Sequence, residues 1–350
     1  MRASRVGLGR TRTARRMVHT SRLGSPALSV HAVQHQLATL LPEARPAAMG
    51  ERTLEVASQM NDAPRLISAT VLEGGPLRAR RIFEPPLVGF RAFLDGTQRS
   101  ELVCYLGGGI PLILGRVAAV VRERQNRRMR TWQLPLVESR LYCPRQLVSA
   151  PTWETLAARY GDLLVDTTSA SADFPHHPFA LRDAAFHRVQ EHRETLEQQL
   201  AERWCTVERE PLFIDGGISG SEKVAVSGCT VGVVKSHRTL YAEGDALRIV
   251  LSLAARERSS VFRIDSPKRT TVASWYLRLR EPQGHDPMWG LLRVETAYPP
   301  PERMHRIGER ADEISRWILA EASPLSLPDA RWDRMVYGVR DCEEFLRAIN

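Results

Sequence analysis

Pro211-Leu212-Phe213-Ile214-Asp215-Gly216-Gly217-Ile218-Ser219-Gly220 decides how this chain is read. Apolar residues run into an acid, and two glycines follow. The pattern predicts a buried strand ending in Asp215 with a tight turn behind it. The same construction stands 120 positions earlier, at Gly89-Phe90-Arg91-Ala92-Phe93-Leu94-Asp95-Gly96-Thr97-Gln98-Arg99-Ser100. Two strands that each deliver an Asp-Gly at one end can bring two carboxylates together. Paired carboxylates at strand ends suit Mg²⁺ or Mn²⁺ and phosphodiester chemistry. Asp-Gly is also an ordinary turn signal. The repetition favours the first reading.

Of the 350 residues 43% are hydrophobic, enough for a sizeable core in one large domain or two. The longest apolar run, from Tyr105 to Val121, is broken by Gly107, Gly108, Gly109, Pro111 and Arg116, so no membrane span is expected. Cys104, Cys143, Cys205, Cys229 and Cys342 are scattered and form no C-x-x-C. That argues against a zinc ribbon or a disulfide framework and for a reducing cytoplasm. The net charge is +9, but residues 1–50 hold eight arginines and one acid, Glu43, leaving +2 for the rest. Residues 1–28 are therefore expected to be a basic arm outside the fold, with 29–350 as the folded body. A nucleic-acid contact or an extension upstream of a start at Met17 or Met49 would each account for the arm. No apolar segment follows Arg15-Arg16, so no secretion signal is expected.

Periodicity predicts helices over Ser29–Leu41, around Leu54–Met60, over Thr152–Tyr160, Phe179–Trp204 and Arg306–Ala322, and from Asp341 onward. It predicts strands over Ile67–Leu72 and Leu77–Phe83, joined at Gly74-Gly75. The Asp95 strand is given Glu101–Leu106 as its hairpin partner, with Ile110–Val121 a third run. Leu136–Val148 reads as irregular. After Asp215, strands are expected at Ala225–Val234, Leu247–Leu251, Val261–Ile264, Ser274–Leu279 and Leu291–Val294. The helix 179–204 carries Glu191, Glu194 and Glu197, any of which could reach a metal held by Asp215. Lys235, one of three lysines, closes the run Val231–Val234 and suits a phosphate or carboxylate partner. The arginine-rich segment 116–130 fits a solvated face or a nucleic-acid surface equally. His176-His177 lacks a third ligand.

This order of motifs resembles the NurA nucleases from about Phe90, within a core of about 87–350. It comprises Asp95-Gly96-Thr97-Gln98-Arg99, a long glutamate-bearing helix and Asp215-Gly216. Gly232-Val233-Val234-Lys235 follows, and then the strands Tyr276-Leu277-Arg278-Leu279 and Arg293-Val294-Glu295. The resemblance implies an α/β fold with an RNase H-like mixed sheet flanked by helices. It implies a homodimer, Mn²⁺- or Mg²⁺-dependent DNA cleavage in end processing or phage defence, and a HerA-type hexameric ATPase as partner. Carried onto this chain, Asp95, Asp215, Glu197 and Asp341 are the metal ligands and Lys235 the catalytic cation. Arg99, Arg124, Arg127 and Arg128 are the expected nucleic-acid contacts. In two-metal logic Asp95 is shared, while Asp215 and Glu197 hold one ion each. The chain has no G-x-x-x-x-G-K-[ST], so any motor is expected to be another protein. A catalytically weak nucleic-acid-binding or partner-docking protein on the same fold is the alternative.

Overall fold

A computed structural model describes residues 28–47, 63–126, 128–168, 177–322 and 337–349. Residues 1–27 of the basic arm, the expected helix at Leu54–Met60, Arg127 and His176 lie outside the described residues.

The chain enters through helix α1 (Val30–Leu40), capped by the Ser29 side chain. Next come three antiparallel strands: β1 (Ala92–Leu106), β2 (Ile110–Gln125) and β3 (Leu136–Cys143). Helix α2 (Ala150–Tyr160) precedes the longest element, α3 (Pro178–Val207), which crosses over to β4 (Leu212–Asp215). Strand β4 runs parallel to β1, and β5 (Thr230–Val234) runs parallel to β4. The resulting order β3-β2-β1-β4-β5 is the mixed arrangement expected of an RNase H-like core. Helix α4 (Gly244–Leu251) and strands β6 (Phe262–Ile264), β7 (Val272–Arg278) and β8 (Leu291–Ala297) follow. The sheet continues beyond β5 through β8, β7 and β6. Helices α5 (Ile307–Glu321) and α6 (Tyr337–Ile349) complete the chain.

Alternation along the strands sorts the core onto two faces. Ala92 and Leu94 of β1, with Leu212 and Ile214 of β4, pack with Val189, Leu196 and Leu200 of α3. Phe93 and Phe213 pack on the opposite face with Trp317 of α5 and Val339, Cys342 and Leu346 of α6. A third cluster joins α1 and α2 to the far half of β1 and β2.

Several expectations are corrected. Glu101–Leu106 is not a hairpin partner but the continuation of the Asp95 strand; its partner is β2, with Asp95 opposite Val120 and Gly96 opposite Ala119. Leu136–Cys143 is regular strand rather than irregular, because its polar Glu138, Ser139 and Arg140 lie on a half-covered ladder. Leu247–Leu251 is helix rather than strand: a short apolar run has no period of its own, and Gly244-Asp245 starts a helical turn before it. The 67–72 and 77–83 segments supply only Thr70–Val71 and Ala79–Arg81. These pair with β6 and with Glu257–Ser259, not with each other. The strand expected over Ala225–Val234 begins only at Thr230; Glu222–Ala225 is a single helical turn.

Candidate active site

Strands β1 and β4 are in register at Leu94 and Ile214, so one residue further Asp95 and Asp215 stand abreast. By alternation both share the face of Phe93 and Phe213. The lengths of the two strands then diverge. Gly216 takes φ 136°, a conformation open to glycine at little cost, and its N–H donates to the Val233 carbonyl at 3.0 Å. Strand β4 ends there, while β1 runs on for eleven residues past Asp95. The sheet is notched on that side of β1, and side chains from both faces meet in the notch.

Helix α3 supplies Glu197 from the other face. It lies over Gly96, where a Cβ would stand 2.2 Å from Glu197 Oε1. Asp-Gly at 95–96 is therefore not a turn: the glycine is the absence of a side chain beneath a carboxylate. Arg193, one helical turn earlier, donates from Nη1 to Glu197 Oε1 at 2.6 Å and from Nε to Gln98 Oε1 at 3.1 Å. Lys235, directly after β5, donates from Nζ to Asp215 Oδ2 at 2.7 Å. The Gly96 N–H donates to Asp95 Oδ1 at 2.9 Å. The Asp215 loop is fixed from below by buried Glu295, whose Oε2 accepts from the Ile218 N–H at 2.9 Å.

Burial dominates the electrostatics. Asp95 is 7% exposed, and burial followed by the Asp215 charge pushes its pKa up to about 8, against the pull of Lys235. Burial likewise raises Glu197 to about 7, with Arg193 opposing and Glu194 and Asp215 adding to it. Among the described residues no three His, Cys, Asp or Glu groups are arranged to hold a metal ion. The reason is visible: Asp215 is turned to Lys235 and Glu197 to Arg193. The donor set nevertheless suits a hard divalent cation, being carboxylate oxygens that burial penalises when ionised and that a cation would neutralise.

The other expected residues fall elsewhere. Asp341 does not line the notch; its Oδ1 accepts from Arg122 Nε at 2.5 Å, and that guanidinium also lies over the Phe345 ring. Two residues along a helix is more than half a turn, so the α6 residues that reach the notch are Glu343 and Arg347. Arg124 is engaged in a two-pronged pair with buried Glu321 at 2.7 and 2.8 Å and stacks on Phe93, which removes it from the surface contacts expected of it. Arg99 is half exposed and paired with Glu101 at 3.3 Å. Arg128 is exposed at the start of a short strand beside β2. Glu191 pairs with Arg188 at the surface and Glu194 accepts from Gln190 at the edge of the recess, while Glu197 is the helix glutamate that lies over Gly96. Sequence reading missed Arg193, Gln98, Glu343 and Arg347. Only the spacing of Arg193, four before Glu197, could have pointed to one of them.

The notch opens into a cleft of about 480 Å³ lined by Asp95, Gly96, Thr97, Gln98, Gln190, Arg193, Asp215, Glu343 and Arg347. On the α3 side a hollow of about 270 Å³ adjoins it, reaching Glu197, Asp215 and Gly217. Carboxylates form the floor and amides and guanidinium groups the walls. Such a site can receive a phosphate ester and a divalent cation together.

No protein-family model matches the chain, and no curated protein does. Among solved structures it is similar to the NurA nuclease from Sulfolobus solfataricus, at 12% identity and a TM-score of 0.43, over 75% of this chain and 81% of that one. No helix among the described residues is long and apolar enough to cross a membrane.

Proposed function

We propose that this protein is a NurA-type, Mn²⁺- or Mg²⁺-dependent nuclease that hydrolyses phosphodiester bonds in DNA. The observation that carries the reading is the meeting of Asp95, Asp215 and Glu197 from three elements at one notch, with Lys235 against them. Asp95, Asp215 and Glu197 would hold the cation, which when bound supplies a water made acidic enough to attack phosphorus and positive charge for the leaving oxygen. The chain's own groups prepare for this. Asp95 and Glu197 must be ionised to serve as ligands, so with their pKa values raised a proton competes with the cation and binding strengthens as pH rises. Lys235 pairs with Asp215 and would place an ammonium where charge builds on the non-bridging oxygens. Gln98, Gln190 and Arg347 line the path on which a strand would lie. Asp341 has no part in this reading. The folded nuclease unit is residues 29–350, and Arg99 and Arg128 are retained as peripheral nucleic-acid contacts.

Mn²⁺-dependent degradation of labelled single- and double-stranded DNA tests the reading, with Asp95→Asn and Asp215→Asn as controls. Near wild-type cleavage by either variant would sink it. The engagement of Asp215 by Lys235 and of Glu197 by Arg193, which turns both acids from a shared ligand position, favours one other reading, a catalytically weak nucleic-acid-binding or partner-docking protein. DNA binding without any Mn²⁺-dependent turnover would support that one. We further propose a cytoplasmic homodimer that docks on a HerA-type hexameric ATPase, since the chain has no nucleotide-binding loop of its own. A stable monomer in light scattering at micromolar concentration would count against the dimer.

A further inference from the structure

Arg193 stands between the two hollows of the site, lining both the cleft and the recess that holds Glu197. Its side chain is 22% exposed, and each arm of the guanidinium has a different kind of partner. Nη1 is bound to a charged group, Glu197, at 2.6 Å; Nε is bound to a neutral one, Gln98, at 3.1 Å. Nη2 has Glu194 at 3.7 Å, beyond hydrogen-bond reach. The neutral partner sits on rigid strand β1, three residues past Asp95. A guanidinium held at Nε by an amide can turn about that contact without leaving the site.

Glu197 Oε1 cannot serve Arg193 and a divalent cation equally well, because two positive charges on one oxygen repel. When the carboxylate turns to a cation, Nη1 is released into the cleft, beside Nη2. Two parallel N–H groups then face the space in which a phosphate ester fits, and arginine binds such anions two-pronged. We propose that Arg193 is a phosphate-binding residue of the site, held on Glu197 until a divalent cation displaces it. Its ligand is a phosphodiester of the bound strand. This deepens the nuclease reading and rests on it.

A residue that only braced Glu197 would, when removed, weaken both metal and strand binding. A displaceable counter-ion moves them in opposite directions. The test uses full-length wild type, Arg193→Gln and Arg193→Lys. Mn²⁺ is titrated calorimetrically without DNA, and a labelled single-stranded oligodeoxynucleotide is titrated by anisotropy with Ca²⁺ in place of Mn²⁺. For Arg193→Gln, Mn²⁺ binding should tighten about three- to tenfold, the value of a part-buried ion pair no longer competing. Oligonucleotide binding should weaken about tenfold, with the salt slope shallower by about 0.7, one phosphate contact. Arg193→Lys keeps the charge and should restore Mn²⁺ affinity to wild type and strand affinity in part. Weaker Mn²⁺ binding in Arg193→Gln, or unchanged strand affinity, overturns the proposal while leaving the nuclease reading standing. A wild-type protein that binds neither Mn²⁺ nor the oligonucleotide removes both.

Discussion

Asp95→Asn should make the metal-free protein more stable by a margin that opens above about pH 4 and is full above about pH 8. The substitution keeps shape and keeps an oxygen to accept the Gly96 N–H, but removes a charge from a site that is 7% exposed. With its pKa near 8 in the fold against 3.8 in a free chain, Asp95 binds a proton in the folded state across a range where the unfolded chain has lost it. Stability therefore falls as pH rises from about 4 to about 8 and levels off above. At about 1.4 kcal/mol per pKa unit, the ceiling on that loss is about 6 kcal/mol. Side-chain movement and water entering the open cleft reduce it, and about 2–3 kcal/mol is expected, or about 3–4 °C in Tm for a chain of this size. Thermal unfolding in chelator should show Asp95→Asn level with wild type at about pH 4 and ahead of it by a margin that widens up to about pH 8. Mn²⁺ at a thousandfold excess over Kd should reverse the order at pH 8.5, because about 4.1 kcal/mol then accrues to the wild type. A variant no more stable than wild type at pH 8.5 without metal would refute the claim that Asp95 is a strained acid awaiting a cation.

Gly96→Ala puts a methyl group 2.2 Å from Glu197 Oε1, so it should cost about 1–3 kcal/mol and most of the cleavage. Combining it with Glu197→Ala should restore Tm but not activity; restored activity would place Glu197 outside the chemistry. Asp341→Asn and Glu343→Gln should behave oppositely. The first breaks the Arg122 pair and lowers stability by about 1 kcal/mol with cleavage intact; the second should leave Tm unchanged and alter cleavage or strand affinity. Deleting residues 1–27 should leave Tm within a degree or two and cost mainly DNA affinity; a large fall in Tm would mean that the segment is packed into the fold.

What was legible in the sequence was the part written as local pattern. Leu212–Asp215 and Ala92–Asp95 read as apolar strands carrying acids, and their parallel register follows from an unbroken helix, residues 178–207, carrying the chain back across the sheet. The Tyr276–Arg293 and Leu277–Leu292 pairs were likewise written in alternation. What was not legible depended on distance through space. Gly96 reads as a turn because nothing in the chain shows Glu197 lying over it. Asp341 and Glu343 are two positions apart, and only the seating of Gly338 and Cys342 against Phe93 fixes which of them faces the cleft. Arg124 reads as a free surface cation until Glu321 arrives from almost 200 residues away.

The uneven ending of β4 and β1 has a further consequence. A parallel ladder, once begun, adds rungs at little cost, so β4 zipping onward beside Thr97–Ser100 is the arrangement this sequence must prevent. Gly216 prevents it, by holding a backbone angle that a β-branched residue would refuse. Valine at 216 would favour the extended conformation, and the ladder would close over the cleft. Activity would then be lost through a gain of order. Hydrogen exchange would read the change as added protection at the β1 amides of Thr97–Ser100 that face β4, the signature of an over-complete sheet.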